Sequence, residues 1–287
     1  MVKKSVALVL GILSSFLWAT YYPFINLSKA SLYYIVSLPF LIGGIVFLVY
    51  AKYKNLIYSE LKKFTFFDII IISFLAFFMQ YSIVIANGKI GSVDTSLFVF
   101  LGDGIVIPSI ALVAKIDSKK KKMNFFLPGA VVLIVGGLLI ISNGFDVHLL
   151  YNNSLYGLFA TFSMSAYFLL TQYKFKESIN ITFLGTSFII TSIIALCFGS
   201  IYSPFSVPTI NELVFLLVVG LTSFFIAYYF FFISSSSLGI ATITFLQALI
   251  PVFTTIFMFE LGNSVTFYQI LGIAVTIIGT VIISKSV

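Results

Sequence analysis

Two stretches of this chain, Ser178 to Asn211 and Leu213 to Phe259, run without a single charged side chain. A membrane-spanning helix needs about 20 mostly apolar residues, so the first stretch holds at least one span and the second at least two. Soluble globular domains carry about 25% charged residues; this chain of 287 residues carries 9%, against 60% hydrophobic. The sequence therefore describes an integral membrane protein, with the lipid bilayer as its first partner. The opening MVKK before an apolar stretch has the outline of a signal peptide, but SSFLWATYYPF offers no small-residue cleavage site and the hydrophobic region is long, which reads as an uncleaved first span. The single cysteine, Cys197, excludes a disulfide scaffold.

Apolar runs bounded by charges, prolines or Gly/Asn/Ser clusters predict ten helices, at Ser5–Leu27, Ser31–Ala51, Phe67–Asn87, Thr95–Lys115, Phe125–Ser142, Leu155–Tyr173, Ile181–Ile201, Leu213–Ile233, Ala241–Phe259 and Thr266–Ser284. With the amino terminus inside, the inner segments hold Lys3, Lys4, Lys52, Lys54, Lys62, Lys63, Lys115, Lys119 to Lys122, Lys174, Lys176 and Lys285. Of the 16 basic residues, all lysine, only Lys29 and Lys89 fall outside. Such asymmetry follows the positive-inside rule and puts both termini in the cytoplasm of a multi-pass cell-membrane protein. The formal charge of +7 does not point to nucleic acid, because these lysines lie between apolar runs rather than along one face.

An internal repeat adds an architecture. Pro108 is followed by Asp117, Gly129 and Gly136, and Pro251 by Glu260, Gly272 and Gly279, with the same spacing and a constant offset of 143 residues. That offset covers five helices, an odd number, so the second half enters the membrane from the opposite side. The expected fold is all-α: a polytopic membrane protein of ten transmembrane helices arranged as two inverted five-helix repeats, residues 1–145 and 150–287. Inverted repeats are the architecture of many secondary transporters, whose substrate site lies near the midplane between the halves.

Three segments carry a family resemblance: WATYYPFIN (Trp18 to Asn26), FFLPGAVVLIVGGLLII (Phe125 to Ile141) and QALIPVFTTIFMFELGNSVTFYQILGIAVTIIG (Gln247 to Gly279). On these the chain resembles the drug/metabolite transporter superfamily, in its ten-helix branch of two EamA-type repeats. The resemblance implies a metabolite transporter, often an exporter, with a central cavity lined by the first, third, fourth, sixth, eighth and ninth helices. It implies no catalytic residue, cofactor or metal. The chain departs from the pattern twice: Asn263 stands where similar proteins commonly have an acid, and Asp103 where they usually have none.

Asp103, in FVFLGDGIVIP, falls near the middle of the fourth span, where an aspartate costs roughly 2.5–3.5 kcal/mol on insertion scales. Pro108 has no amide hydrogen, so the carbonyl of Gly104 loses its helical partner. Irregular backbone at membrane depth is tolerated only against protein or a wet cavity. Pro251 likewise frees the carbonyl of Gln247, and Pro23 that of Ala19 beside Trp18; such prolines also serve simply to kink helices for packing. The candidate substrate-binding residues are Asp103, Gly104 and Gln247, with Trp18, Tyr21, Tyr22, Gln80, Tyr167, Gln172 and Tyr228 on helices that the resemblance assigns to the cavity. Asp103 is also the candidate proton or cation coupling site. His148, the only histidine, reads as a solvated loop residue. With no arginine anywhere, a bidentate clamp for phosphate or carboxylate is missing, which argues against organic phosphates and dianions unless Lys89 enters the cavity.

The sequence thus points to a secondary active transporter of a small-molecule substrate, such as an amino acid or amine, as a monomer or homodimer. Two other classes compete. A scaffold or sensor would have a dry, packed interior. An intramembrane aspartyl protease needs two carboxylates sharing a proton, and Asp68 and Asp94 sit near span ends, away from the depth of Asp103. The topology has a direct test: cysteines introduced at Lys120 and Asn152 are expected to react with an impermeant reagent from opposite sides. Labelling of both from the outside would contradict the ten-helix arrangement.

Overall fold

The computed structural model describes residues 2–101, 154–175, 180–202 and 208–284, with isolated positions at 106, 128–129, 131–132, 135–136 and 139. The candidate residues Asp103 and Gly104, and the proline at 108, lie outside the described residues. The described residues form α1 (Lys4–Leu27), α2 (Leu32–Tyr53), α3 (Ile57–Leu61), α4 (Phe66–Ile90), α5 (Ser92–Leu101), α6 (Ser154–Phe175), α7 (Ile181–Tyr202), α8 (Ile210–Leu238), α9 (Ile240–Glu260) and α10 (Phe267–Ser284), with no strand among them. Six of these, α1, α2, α4, α7, α8 and α9, are long and apolar enough to cross a membrane. The protein is a polytopic helical membrane protein.

Local chemistry explains where several helices begin and break. In α4, Thr65 accepts from the Asp68 amide while Asp68 caps the Thr65 amide, and Thr209 and Glu212 do the same for α8. Each box satisfies two of the four amide donors that a helix start leaves free. α9 is interrupted at Gln247 and Ala248, between the helical segments Ile240–Leu246 and Leu249–Glu260. The cause is Pro251, which cannot donate to Gln247; the Gln247 carbonyl accepts instead from the Ile250 amide at 2.9 Å, closing a tighter turn. In α1 the carbonyl freed by Pro23, that of Ala19, accepts from the Thr254 hydroxyl at 3.4 Å.

The distribution of side chains is that of a protein solvated by lipid. Val9, Phe67, Phe162 and Ile278 are exposed, whereas Ser14, Ser15, Ser37, Ser73, Thr191 and Ser234 are buried. Lipid tails are as apolar as leucine, so burial of apolar surface does not drive helices together here; close packing of small residues and interhelical hydrogen bonds do. The α2–α7 contact shows the first. A β-carbon added at Gly44 would meet the Gly185 carbonyl oxygen at 3.0 Å, and one added at Gly185 would meet that of Gly44 at 3.0 Å. Phe40 and Phe47 then close on Phe188 with ring centroids 4.9 and 5.8 Å apart.

Helix partners recur under the offset found in the sequence. α1 runs along α8 and α4 along α6; adding 143 to the first helix and subtracting it from the second converts one pair into the other. The contacts of α2 with α8 and of α7 with α4 are related in the same way. Glycines of the two motif copies also meet: a β-carbon at Gly136 would lie 3.0 Å from the Gly272 carbonyl oxygen and 2.7 Å from the Thr276 amide nitrogen.

Because a β-carbon at Gly185 would meet the Gly44 carbonyl oxygen at 3.0 Å as well as the Leu48 side chain at 2.9 Å, Gly185→Ala is expected to lower stability by about 1–3 kcal/mol in a detergent unfolding titration. Gly88→Ala, with nothing within 4 Å of the added carbon, is the control and should cost nothing. Equal stability of the two variants would contradict the crossing.

Candidate functional site

α1 is held against α8 by a line of side-chain to backbone hydrogen bonds. Ser234 donates to the Ala7 carbonyl at 2.7 Å, Ser14 to that of Ala227 at 3.0 Å, and Ser223 to that of Leu17 at 3.1 Å. One residue number rises as the other falls, as antiparallel helices require. At the end of this line α8 passes through a π-helical segment, Gly220–Ile226, in which the Ala227 amide reaches back to Thr222. The Ser223 carbonyl, which α-helical geometry would have paired with that amide, accepts from the Trp18 indole at 2.8 Å. Segments of this kind often mark functional sites.

A cavity of about 40 Å³ opens beside this bond, walled by α1, α4, α6, α8 and α9. Of the sequence candidates, Trp18, Tyr21, Tyr22, Gln80 and Tyr228 line it. Residues that the sequence reading did not single out complete the wall: Met79 and Ile83 on α4, Met164 and Phe168 on α6, Ser223 and Phe224 on α8, and Ile250 on α9. The aromatic rings stand edge to face, with Trp18 5.0 Å from Tyr228 and 5.8 Å from Phe168, and Tyr21 5.6 Å from Phe224. Inside this apolar box two polar groups, the Tyr21 hydroxyl and the Gln80 amide nitrogen, meet no hydrogen-bond partner among the described residues. They lie close to one another without closing a bond of normal geometry. A buried donor left unmet costs about 1–3 kcal/mol, so the site holds recognition chemistry that its own side chains do not use.

The other candidates sit elsewhere. Tyr167 is fully buried behind the wall, its ring 6.3 Å from Tyr228. Gln172 is buried further along α6 and does not line the cavity. Gln247 is wholly buried at the break in α9, apart from the lining, and neither its amide oxygen nor its amide nitrogen meets a partner among the described residues.

Bonds tie the described helices together on either side of the cavity. Toward the lysine-rich side, Lys174 pairs with Asp68 at 2.6 Å, joining α6 to α4. On the same side the buried Glu60 carboxylate of α3 accepts from the Thr182 amide at 2.8 Å at the start of α7. Toward the opposite side, the Tyr22 carbonyl accepts from Ser92 at 2.9 Å and Asn87 at 3.2 Å, while Asn26 donates to Ser92 and accepts from Asn87, each at 2.8 Å.

Residues 153–285 match the model of the EamA-like transporter family. The match covers the second half of the chain and is a likeness to that family there. The match contains the segment Gln247 to Gly279, while the segments at Trp18 and Phe125 lie ahead of it. A solved structure described as "Crystal structure of protein" superposes with a TM-score of 0.74 over 99% of this chain and 98% of its own, at 14% identity. That likeness shows a shared fold along the whole length. No curated protein matches the chain. The size of the aromatic cavity has a mechanical meaning: about 40 Å³ admits a few waters, whereas small-molecule sites span about 300 Å³ or more. Any organic solute that uses this cavity must move the helices around it.

Proposed function

We propose that this EamA-type protein is a secondary active exporter of small organic metabolites, amino acids or amines, working by alternating access in the cell membrane with both termini cytoplasmic. The observation that carries the reading is the cavity at the α1–α8 line, with two unmet polar groups inside an aromatic wall and a separate closure on either side. Aromatic faces attract an ammonium group, and the Gln80 amide and Tyr21 hydroxyl supply hydrogen bonds to the polar end of the same solute. The described lining holds no charged residue, so affinity for the neutral or zwitterionic parts of a metabolite outweighs that for a dianion.

Alternating access then consists of exchanging closures. Breaking the Lys174–Asp68 pair and the Glu60 contact opens the lysine-rich side, while the Tyr22, Asn26, Asn87 and Ser92 network holds the other shut. Coupling is assigned to Asp103 on its place in the sequence: a carboxylate at membrane depth binds a proton or cation, and substrate competes for the same site. Asp103→Asn keeps size and hydrogen bonding but removes titration.

Uptake and efflux in reconstituted vesicles, with and without a pH gradient, test the reading against a panel of amino acids, amines and aromatic metabolites. We expect flux of at least one panel member above empty vesicles and about a tenfold loss for Gln80→Leu, the worth of one hydrogen bond. Gradient-driven transport should vanish in Asp103→Asn while exchange persists. No flux, or wild-type flux in Gln80→Leu, would overturn the assignment of the cavity; unchanged pH dependence in Asp103→Asn would remove Asp103 as the coupling residue.

A further inference from the structure

Above the Asn26, Asn87 and Ser92 network, on the side away from most lysines, lies a second cavity of about 330 Å³. Its wall includes Asn26 of α1, Asp94 of α5, Thr255 and Met258 of α9, and Asn263 and Gln269 around the connection to α10. The volume alone separates it from the central cavity, since it reaches the size of small-molecule sites.

The charge of the lining is one-sided. Among the described residues of the lining Asp94 is the only ionisable one. Asp94 precedes the predicted fourth span and stands in the first turn of α5, where the free amides favour a carboxylate. Burial pushes it up to about 6, and a cation drawn beside it favours the ionised form. A partly buried carboxylate without a cation nearby is costly unless something positive joins it. The other polar groups narrow the class of partner. Asn263 donates one amide hydrogen to the Met258 carbonyl at 3.0 Å, which turns its oxygen away from that bond as an acceptor. Both ends of the Asn26 amide are committed within the network. The basin offers a carboxylate and an amide oxygen as acceptors, beside the Gln269 amide nitrogen, whose oxygen takes the Thr266 amide at 3.0 Å; the carboxylate's charge is what selects a cationic donor. Met258, Val265 and Ile90 add apolar surface for a short carbon body.

We propose that this basin is a binding site for a protonated primary amine, with Asp94 as its counter-ion and Asn263 as a second acceptor. The site stands on its own geometry and does not require that the protein transport what binds there. Trp18, the only tryptophan, lines the central cavity and so reports separately on occupancy of that cavity.

Calorimetric titration of the full-length protein in detergent at neutral pH, with phenethylammonium and with the uncharged 2-phenylethanol, tests the proposal. The amine is expected to bind at least tenfold tighter than the alcohol. Asp94→Asn should weaken the amine at least tenfold, Asp94→Glu should retain most of the affinity, and Gly88→Ala, where nothing lies within 4 Å of the added carbon, should leave it unchanged. If Asp94→Asn fails to fold, Asn263→Leu replaces it, with a several-fold loss expected. Absence of amine binding would overturn the proposal, as would equal binding of amine and alcohol or full affinity in both basin variants. Binding lost in Gln80→Leu and accompanied by quenching of Trp18 would place the amine in the central cavity and equally overturn it.

Discussion

In a hydrocarbon surrounding, a backbone carbonyl released from its helical partner finds no water, and leaving it bare costs several kcal/mol. The π-helical segment in α8 releases such a carbonyl at Ser223, and the indole of Trp18 meets it. Much of the interior follows from that one pairing. It fixes the depth at which α1 meets α8, it sets Trp18 among Tyr228, Phe168 and Phe231, and it places Ser223 and Trp18 on the wall of the same cavity. The prolines obey the same rule elsewhere: Ala19 and Gln247 each find a substitute donor, one from another helix and one from the next turn.

These attachments are numerous but individually small. Interhelical hydrogen bonds in membranes are worth about 0.6 kcal/mol on average, because the unassembled helices also find partners. The structure is joined by many weak bonds and by close glycine crossings at Gly44, Gly185 and Gly136. The two closures differ in kind, an ion pair with a capped helix start on the lysine-rich side and a neutral amide-hydroxyl network on the other.

The fold was largely legible in the sequence. The charge-free stretches marked the spans, and the helical boundaries at α1, α2, α4, α6 and α7 fall within a few residues of those read from the sequence. The capping signals TFFD and TINE were present and would have set the starts of α4 and α8 more closely. The short helix α3 carried no span-length apolar run to reveal it. The site was less legible for a physical reason. In helices apolar on every face, periodicity does not tell which stripe faces a cavity. Tyr167 and Phe168 are equally aromatic neighbours, yet only Phe168 lines the wall. Met79 and Met164 bear no polar signal at all. Ser223 acts through a π segment that no local residue pattern announces.

The account stands on one claim, that the closed cavity beside Trp18 opens by turns to the two sides of the membrane. Met164 lines that cavity and is buried, so the direct measurement is the reactivity of Met164→Cys, in a chain whose Cys197 is replaced by alanine, within sealed vesicles of uniform orientation. A small impermeant thiol reagent should react when applied from either side. Reaction from one side alone, or from neither, would contradict it.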